Sequence, residues 1–580
     1  MQAKRLERES LVDERRGELA GSRTPGGESK PPVLEVADEW TAVLSPASRP
    51  QLEALLVGWL QGQRWFGGKA RQVTNAAIQE SIPIPCGDDT ALYNLVQVDY
   101  LQGDADWYAV PLAFAEGKEA ESVRRLTPSS IVCELRVSTT GRKGVLHGAL
   151  RKGEFCKSLL ELIAGQRHIK SGDGGLEASC TPLFRRILGD AALPEPIPAK
   201  AEQSNSSVVY GDRFILKLFR RLEVGINPDY ELTRFLTARG FDHAQQLAGA
   251  LEFRRPTGQR ITLGMLNRFL PRAKDAWAFT LEELGHYYGR AAALIADGQS
   301  APLGEASLAK WIEHELHPAW RELVGAYRDS ARLLGQRTAE MHLALASEAE
   351  TQAFAPEPFS PDYFRGVFES MHSQARQNFE LLRKGLKALP ADILPLARRV
   401  LELEPAIISR FRWLYERPIT ARRIRCHGDY HLGQVLYSGG DFVIIDFEGE
   451  PALPLRERRI KRSPLRDVAG MVRSFDYAAW AGLHDYIQRR GLGRQSLPDF
   501  EPWLRVWHQA VSSVFLRAYR ETMGESEIVP HSREELSAML PAYLLNKAVY
   551  EVGYELNNRP FWLRIPLLGI LEMFGAETNA

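Results

Sequence analysis

Residues 426–451 read CHGDYHLGQVLYSGGDFVIIDFEGEP, and their oxygen-bearing side chains are spaced to meet at one point. Gly433–Ser438 reads as a short strand, Ser438–Asp441 carries a Gly-Gly turn, and Phe442–Ile445 is an apolar strand. A four-residue loop makes Tyr437 face Phe442 and Gln434 face Ile445, so Asp446 emerges beside Gln434. Asp429 lies on the loop that enters the same end. Two carboxylates and an amide oxygen at one hairpin edge are the donors Mg²⁺ takes, commonly together with substrate phosphates.

The order His427-Gly428-Asp429, Gln434, then Asp446 after a hairpin resembles the catalytic loop of the protein-kinase-like fold, with Gln434 standing where Asn is usual. Its His-Gly-Asp form is similar to the aminoglycoside phosphotransferase and choline kinase branch, whose members phosphorylate small molecules. That resemblance implies ATP and Mg²⁺, Asp429 as the base for the attacking hydroxyl, and Gln434 and Asp446 as metal ligands.

A nucleotide lobe belongs upstream, and EQSNSSVVYGDRFILKLFRR, residues 202–221, fits one. Two strands flank the Gly211-Asp212 turn. Phe214, Leu216 and Leu218 share one face of the second, and Lys217 points the other way, a point charge for nucleotide phosphates. Asn227-Pro228 starts a helix that Gly240 stops, and Glu231 in its first turn is the expected partner of Lys217. There is no Gly-rich loop here. Residues 203–207 take its place, with Ser204, Asn205 and Ser206 as the expected phosphate donors.

Narrower similarity lies in the 202–221 block, in RSPLRDVAGMVRSFDYAA (462–479), in YELNNRP (554–560) and in Arg64-Trp65-Phe66-Gly67-Gly68-Lys69. All four resemble the maltokinase family, and the similarity runs from about residue 50 to 570. It implies transfer of the ATP γ-phosphate to the anomeric hydroxyl of maltose, giving maltose 1-phosphate for α-glucan and glycogen synthesis from trehalose. Trehalose synthase is the partner it suggests. His431 and Glu448, beside the catalytic groups, and Lys547, Glu551 and Tyr554, along one side of a late helix, are the expected sugar contacts. Asp467 is expected to brace the catalytic loop, and Trp65, Phe66 and Lys69 are left outside the site. Two alternatives stay open: a kinase of the same fold for another sugar or aminosugar, such as glucosamine or an aminoglycoside, and a non-catalytic partner module of trehalose synthase.

The elements that must position these groups follow from patterning. The 580 residues carry 73 basic and 73 acidic side chains, which removes bulk electrostatic attraction to nucleic acid or an anionic membrane. No apolar run reaches the ~18 residues of a membrane span, and the N-terminus lacks a secretory apolar core, so a cytoplasmic setting is expected. Five scattered cysteines without a CxxC pair argue against disulfides and structural zinc. Residues 1–38 read as a disordered tail, 39–155 as a β-rich cap, 156–272 as the nucleotide lobe, and 273–580 as a helical catalytic lobe with long helices at 320–346, 361–388, 499–522 and 533–557. The expected class is α+β: a bilobal protein-kinase-like fold with an extra N-terminal cap subdomain and a mainly helical C-terminal lobe.

Overall fold

The computed structural model describes residues 31–172, 174–198, 204–302, 318–348, 350–416 and 418–575. The chain divides into two compact units, one of residues up to Arg234 plus Gln245–Arg272, the other of Phe235–Ala244 plus Ala273 onwards. The class is α+β, bilobal and protein-kinase-like.

The first unit is built on two seven-stranded sheets. One holds β1 (Val33–Val36), β2 (Val73–Cys86), β3 (Asp89–Tyr100), β4 (Asp106–Glu116), β5 (Ile131–Val137) and β6 (Lys143–Gly148), in the order β1-β5-β6-β4-β3-β2. The other holds β7 (His168–Ser171), β8 (Gly174–Cys180), β9 (Pro196–Pro198), β10 (Ser206–Tyr210), β11 (Phe214–Leu218), β13 (Leu247–Arg254) and β14 (Arg260–Arg268). The short β12 (Arg221–Leu222) leaves β11 and pairs with Trp107 and Tyr108 of β4 in the first sheet. Helix Gly153–Ala164 runs across the boundary expected at 155/156, and its Phe155, Cys156 and Leu159 share one core with Ile82 and Tyr93 of the first sheet and Val208 and Leu216 of the second.

Order begins earlier than expected. Residues 33–36, assigned to the tail, form a strand parallel to Glu134–Val137, with Leu34 and Val36 buried. The run VLEV alternates correctly for a half-buried strand, but its partner lies about a hundred residues away, so local composition hid it. Residues 1–30 lie outside the described residues. Trp65 and Phe66 pack in the core against Tyr108, consistent with leaving them out of the site.

The second unit is mostly helical. Helices Tyr327–Leu345, Pro361–Gly385, Leu497–Met523 and Arg533–Asn558 match the four long amphipathic segments of the sequence, and Leu465–Arg489 adds a fifth long helix. Between them lies the hairpin Val435–Ser438 and Asp441–Ile444, in the register read from the sequence: Tyr437 faces Phe442 across the Gly439-Gly440 turn, and Ile445 N–H bonds Gln434 O at 3.0 Å.

Replacing Leu34 by Ala should cost about 2–5 kcal/mol in denaturant unfolding, the range for a buried leucine. An unchanged midpoint would return residues 33–38 to the tail.

Candidate active site

The catalytic loop is held by its backbone. Asp467, in the first turn of helix Leu465–Arg489, is buried, and its carboxylate accepts the His427 N–H at 2.7 Å and the Gly428 N–H at 3.0 Å. His342 Nε2 lies 3.2 Å from the same carboxylate. A carboxylate only accepts, so Nε2 carries the proton, and Nδ1 takes the Tyr519 hydroxyl at 3.0 Å. Three residues on, Gly470 leaves room for the loop: a Cβ there would sit 2.6 Å from Tyr430 O. A turn later Ser474 Oγ accepts the Leu432 N–H at 3.1 Å. Positions 467, 470 and 474 share one helix face. The brace expected of Asp467 is present, with two further contacts the sequence did not suggest.

The histidine of His427-Gly428-Asp429 fastens the loop to the hairpin. Its Nε2 donates to Ile445 O at 2.9 Å, leaving Nδ1 to accept the Asp429 N–H at 3.4 Å. Gly428 has φ +89°, and its missing Cβ would lie 3.1 Å from Gly449 Cα, so a side chain there is both strained and crowded. Asp446 follows the hairpin at φ +67°, one of two non-glycine residues with positive φ among the described residues. Such backbone strain at a carboxylate is what fixed placement of a ligand requires. A carboxylate oxygen of Glu448 lies within 4.8 Å of one of Asp446. Asp446 and Glu448 offer only oxygen donors at short range, the ligand chemistry Mg²⁺ takes. The residues therefore fit Mg²⁺.

Asp429 opens onto a cleft whose walls include Tyr363, Glu450, Arg466, Asn546, Lys547 and Tyr550. Lys547 Nζ is 3.5 Å from Asp429 Oδ1, and His431 Nε2 is 3.8 Å from Oδ2. His431 Nδ1 accepts the Gly433 N–H, so Nε2 carries the proton that faces Asp429. Burial pushes the His431 imidazolium down, against the pull of Asp429 and with the push of Lys547. It is neutral at pH 7.

Three expected sugar contacts fall elsewhere. Glu551 is buried and accepts Arg473 Nε at 2.9 Å and Nη2 at 2.6 Å, so its carboxylate is committed inside the protein. Tyr554 stands exposed a turn beyond Tyr550, rings 6.3 Å apart, and is not among the cleft-lining residues. Glu448 stands with Asp446 rather than in the cleft wall. Tyr550, three residues after Lys547, lines the cleft although the sequence reading did not single it out. Arg466, left without a role by the sequence, also lines the cleft.

In the first unit Lys217 Nζ meets Asp229 Oδ2 at 2.7 Å. The carboxylate on the lysine is thus Asp229, two residues before the expected Glu231. Asn227 Oδ1 caps the helix by accepting the Asp229 N–H at 2.8 Å, which turns Asp229 inward at 1% exposure. Of the expected phosphate loop, Ser204 is exposed. Asn205 Oδ1 accepts the Arg220 N–H, and Ser206 Oγ accepts Arg220 Nε at 2.8 Å, so that hydroxyl is held by a guanidinium rather than left open. Arg220 lies over the Trp65 ring at 4.5 Å, which ties the Arg64–Lys69 block to this loop. Gln203 lies outside the described residues.

Comparison with known proteins bears on this geometry. Residues 194–500, more than half of the chain, match the phosphotransferase enzyme family. The chain belongs to that family. Residues 59–149 match the maltokinase N-terminal cap domain. Among curated relatives, a glucosamine kinase of Mycolicibacterium smegmatis is 25% identical over 370 residues, 64% of this chain and 77% of that protein. A glucosamine kinase of Streptacidiphilus jiangxiensis is 24% identical over 456 residues, 73% of this chain and 88% of the relative. A glucosamine kinase crystal structure is similar over 88% of this chain and 97% of that one, with TM-score 0.59 and 19% identity. Another, in complex with glucosamine, ADP and inorganic phosphate, covers 86% of this chain and 95% of that chain at TM-score 0.57 and 20% identity. The protein is a sugar kinase of the phosphotransferase fold, with an alcohol group as acceptor and ATP as donor, and Mg²⁺ is the usual partner ion of such kinases. No described helix is long and apolar enough to cross a membrane.

Burial alone pushes the Asp467 carboxyl up, but the hydrogen bond to His342, the neighbouring His427 ring and the Gly428 N–H outweigh it and hold it below its ordinary value. A depressed folded pKa stabilises above the unfolded value, about 3.9, and that stability is lost as pH falls through the folded one. Wild-type unfolding midpoints should therefore drop below about pH 4. Asp467→Asn should start lower at pH 7 and show a shallower acid limb, and parallel limbs would remove Asp467 from this role.

Proposed function

We propose that the chain is a maltokinase, transferring the ATP γ-phosphate to the anomeric hydroxyl of maltose to give maltose 1-phosphate and ADP. In this reading it feeds α-glucan and glycogen synthesis from trehalose, works in the cytoplasm with its five cysteines as free thiols, and associates with trehalose synthase as maltose source. The observation that carries the acceptor is the wall beside Asp429. The late helix, whose sequence resembles maltokinases, sets Lys547 3.5 Å from the proposed base and Tyr550 into the same cleft. A cation and a ring face next to a carboxylate suit a neutral sugar with many hydroxyls. The match of residues 59–149 to the maltokinase cap supports the same choice.

The chemistry asked of the chain is positioning and charge neutralisation. Asp429 accepts a hydrogen bond from the anomeric hydroxyl and takes its proton as the new O–P bond forms and the bond to the β-phosphate oxygen breaks. Lys547 stands 3.5 Å from Asp429 Oδ1, which leaves Oδ2 for the sugar hydroxyl. His431, neutral at pH 7, offers its Nε2 proton on the other side. Mg²⁺ bound with ATP supplies charge neutralisation for the transferring phosphoryl group. Gln434 and Asp446 would hold it, with Glu448 beside them. Lys217, oriented by Asp229, would meet the nucleotide phosphates, and Arg220 keeps Asn205 and Ser206 in place for the same nucleotide.

A second reading, glucosamine as acceptor, draws on Glu450 and Glu457 in the cleft wall, since two carboxylates would receive an ammonium group. The names of the curated relatives favour it as well.

Asp429→Asn should lower turnover at least ~10²-fold with ATP binding retained, and near-normal turnover would sink the base assignment. ADP release measured across maltose, glucose, glucosamine, trehalose and an aminoglycoside, with ³¹P NMR of the product, decides the acceptor. Maltose-selective turnover with phosphate on the anomeric oxygen is the expected result, and preference for glucosamine would replace maltose by the second reading.

A further inference from the structure

Arg473 and Glu551 have no part in the chemistry above, yet both are buried, and they join the two helices that build the site. Arg473 lies on helix Leu465–Arg489, beside the face that carries Asp467, Gly470 and Ser474 against the catalytic loop. Its Nε and Nη2 both reach Glu551 Oε2, at 2.9 and 2.6 Å, and its Nη1 reaches Asp476 Oδ2 at 2.6 Å. The surroundings accommodate the fork: a Cβ on Gly569 would stand 2.4 Å from Arg473 Nη1. One turn further along both helices, the Tyr477 hydroxyl donates to Glu555 Oε1 at 3.0 Å.

Glu551 is four residues after Lys547 and one after Tyr550, so the rotation that satisfies Arg473 also decides where those two side chains point. Each residue advances a helix by about 100°, and apolar packing alone tolerates small rotations that a two-pronged buried contact does not. We propose that Arg473 is a positioning residue for the sugar acceptor, acting through Glu551 to fix the turn of helix Arg533–Asn558 that presents Lys547 and Tyr550 to the cleft. One helix then holds the base through Asp467 and the acceptor wall through Arg473, so the separation of the two is set by a single rigid element. The inference rests on the cleft beside Asp429 being the acceptor site.

The test is steady-state kinetics of the full chain, with ATP and maltose varied separately, on Arg473→Lys, Glu551→Gln and the double variant Arg473→Met/Glu551→Met, each checked by thermal unfolding. Lysine keeps the charge but loses the fork, glutamine keeps the shape but loses the charge, and the double replacement keeps the burial apolar. The expected result is a rise of about tenfold or more in the KM for maltose in all three, with the KM for ATP within about twofold of wild type. The double variant should remain folded and still carry the acceptor defect. Unchanged acceptor kinetics in folded variants, or equal shifts for both substrates, would overturn the proposal. Lys547→Ala separates the two levels. If it raises the KM for maltose and Glu551→Gln does not, Arg473 has no positioning role. If it also leaves the KM unchanged, the cleft is not the acceptor site and the inference falls with that reading.

Discussion

The site depends on one buried carboxylate. Asp467 accepts two consecutive backbone N–H groups, from His427 and Gly428, and a third hydrogen from His342. Backbone donors cannot rotate away as side chains can, so a carboxylate that takes two in succession fixes the path of the chain up to Asp429. Burying that charge is costly unless it is fully bonded, and the protein meets the cost with donors that double as the frame of the catalytic loop.

Helix Leu465–Arg489 carries contacts on two faces. One face holds the loop through Asp467, Gly470 and Ser474, and the adjoining face holds helix Arg533–Asn558 through Arg473 and Tyr477. The hairpin is fastened separately, by His427 to Ile445 O, which delivers Asp446 at a strained φ beside Glu448. The loop of Asp429, the Asp446–Glu448 pair and the cleft wall of Lys547 and Tyr550 are thus placed by short polar contacts to one helix and one histidine. In the first unit, Lys217 is oriented by the first turn of a capped helix, and Arg220 links the loop of Asn205 and Ser206 to Trp65.

What could be read from the sequence was local and periodic. The hairpin register came from a Gly-Gly turn between two alternating runs, and the structure places Tyr437 opposite Phe442 as that pattern requires. The α+β class, the long helices and the brace at Asp467 were legible for the same reason. Partner choice was not. A helical stripe puts residues 547, 551 and 554 on one side, yet about 40° of rotation separates 547 from 551, enough for Lys547 to face the cleft while Glu551 faces Arg473. The same limit moved the partner of Lys217 from Glu231 to Asp229, since the N-cap bond to Asn227 decides which carboxylate turns inward. Strand Val33–Val36 lay hidden because its pairing is wholly long-range.

Backbone hydrogen exchange of the catalytic loop measures the central constraint most directly. With wild type and Asp467→Asn compared at pH 7, the account predicts that the His427 and Gly428 amides are strongly protected in wild type. In the variant they should exchange at least about tenfold faster, while the helix core at Met471–Phe475 keeps its protection. Equal protection of those two amides in both proteins would contradict the claim that Asp467 holds the loop.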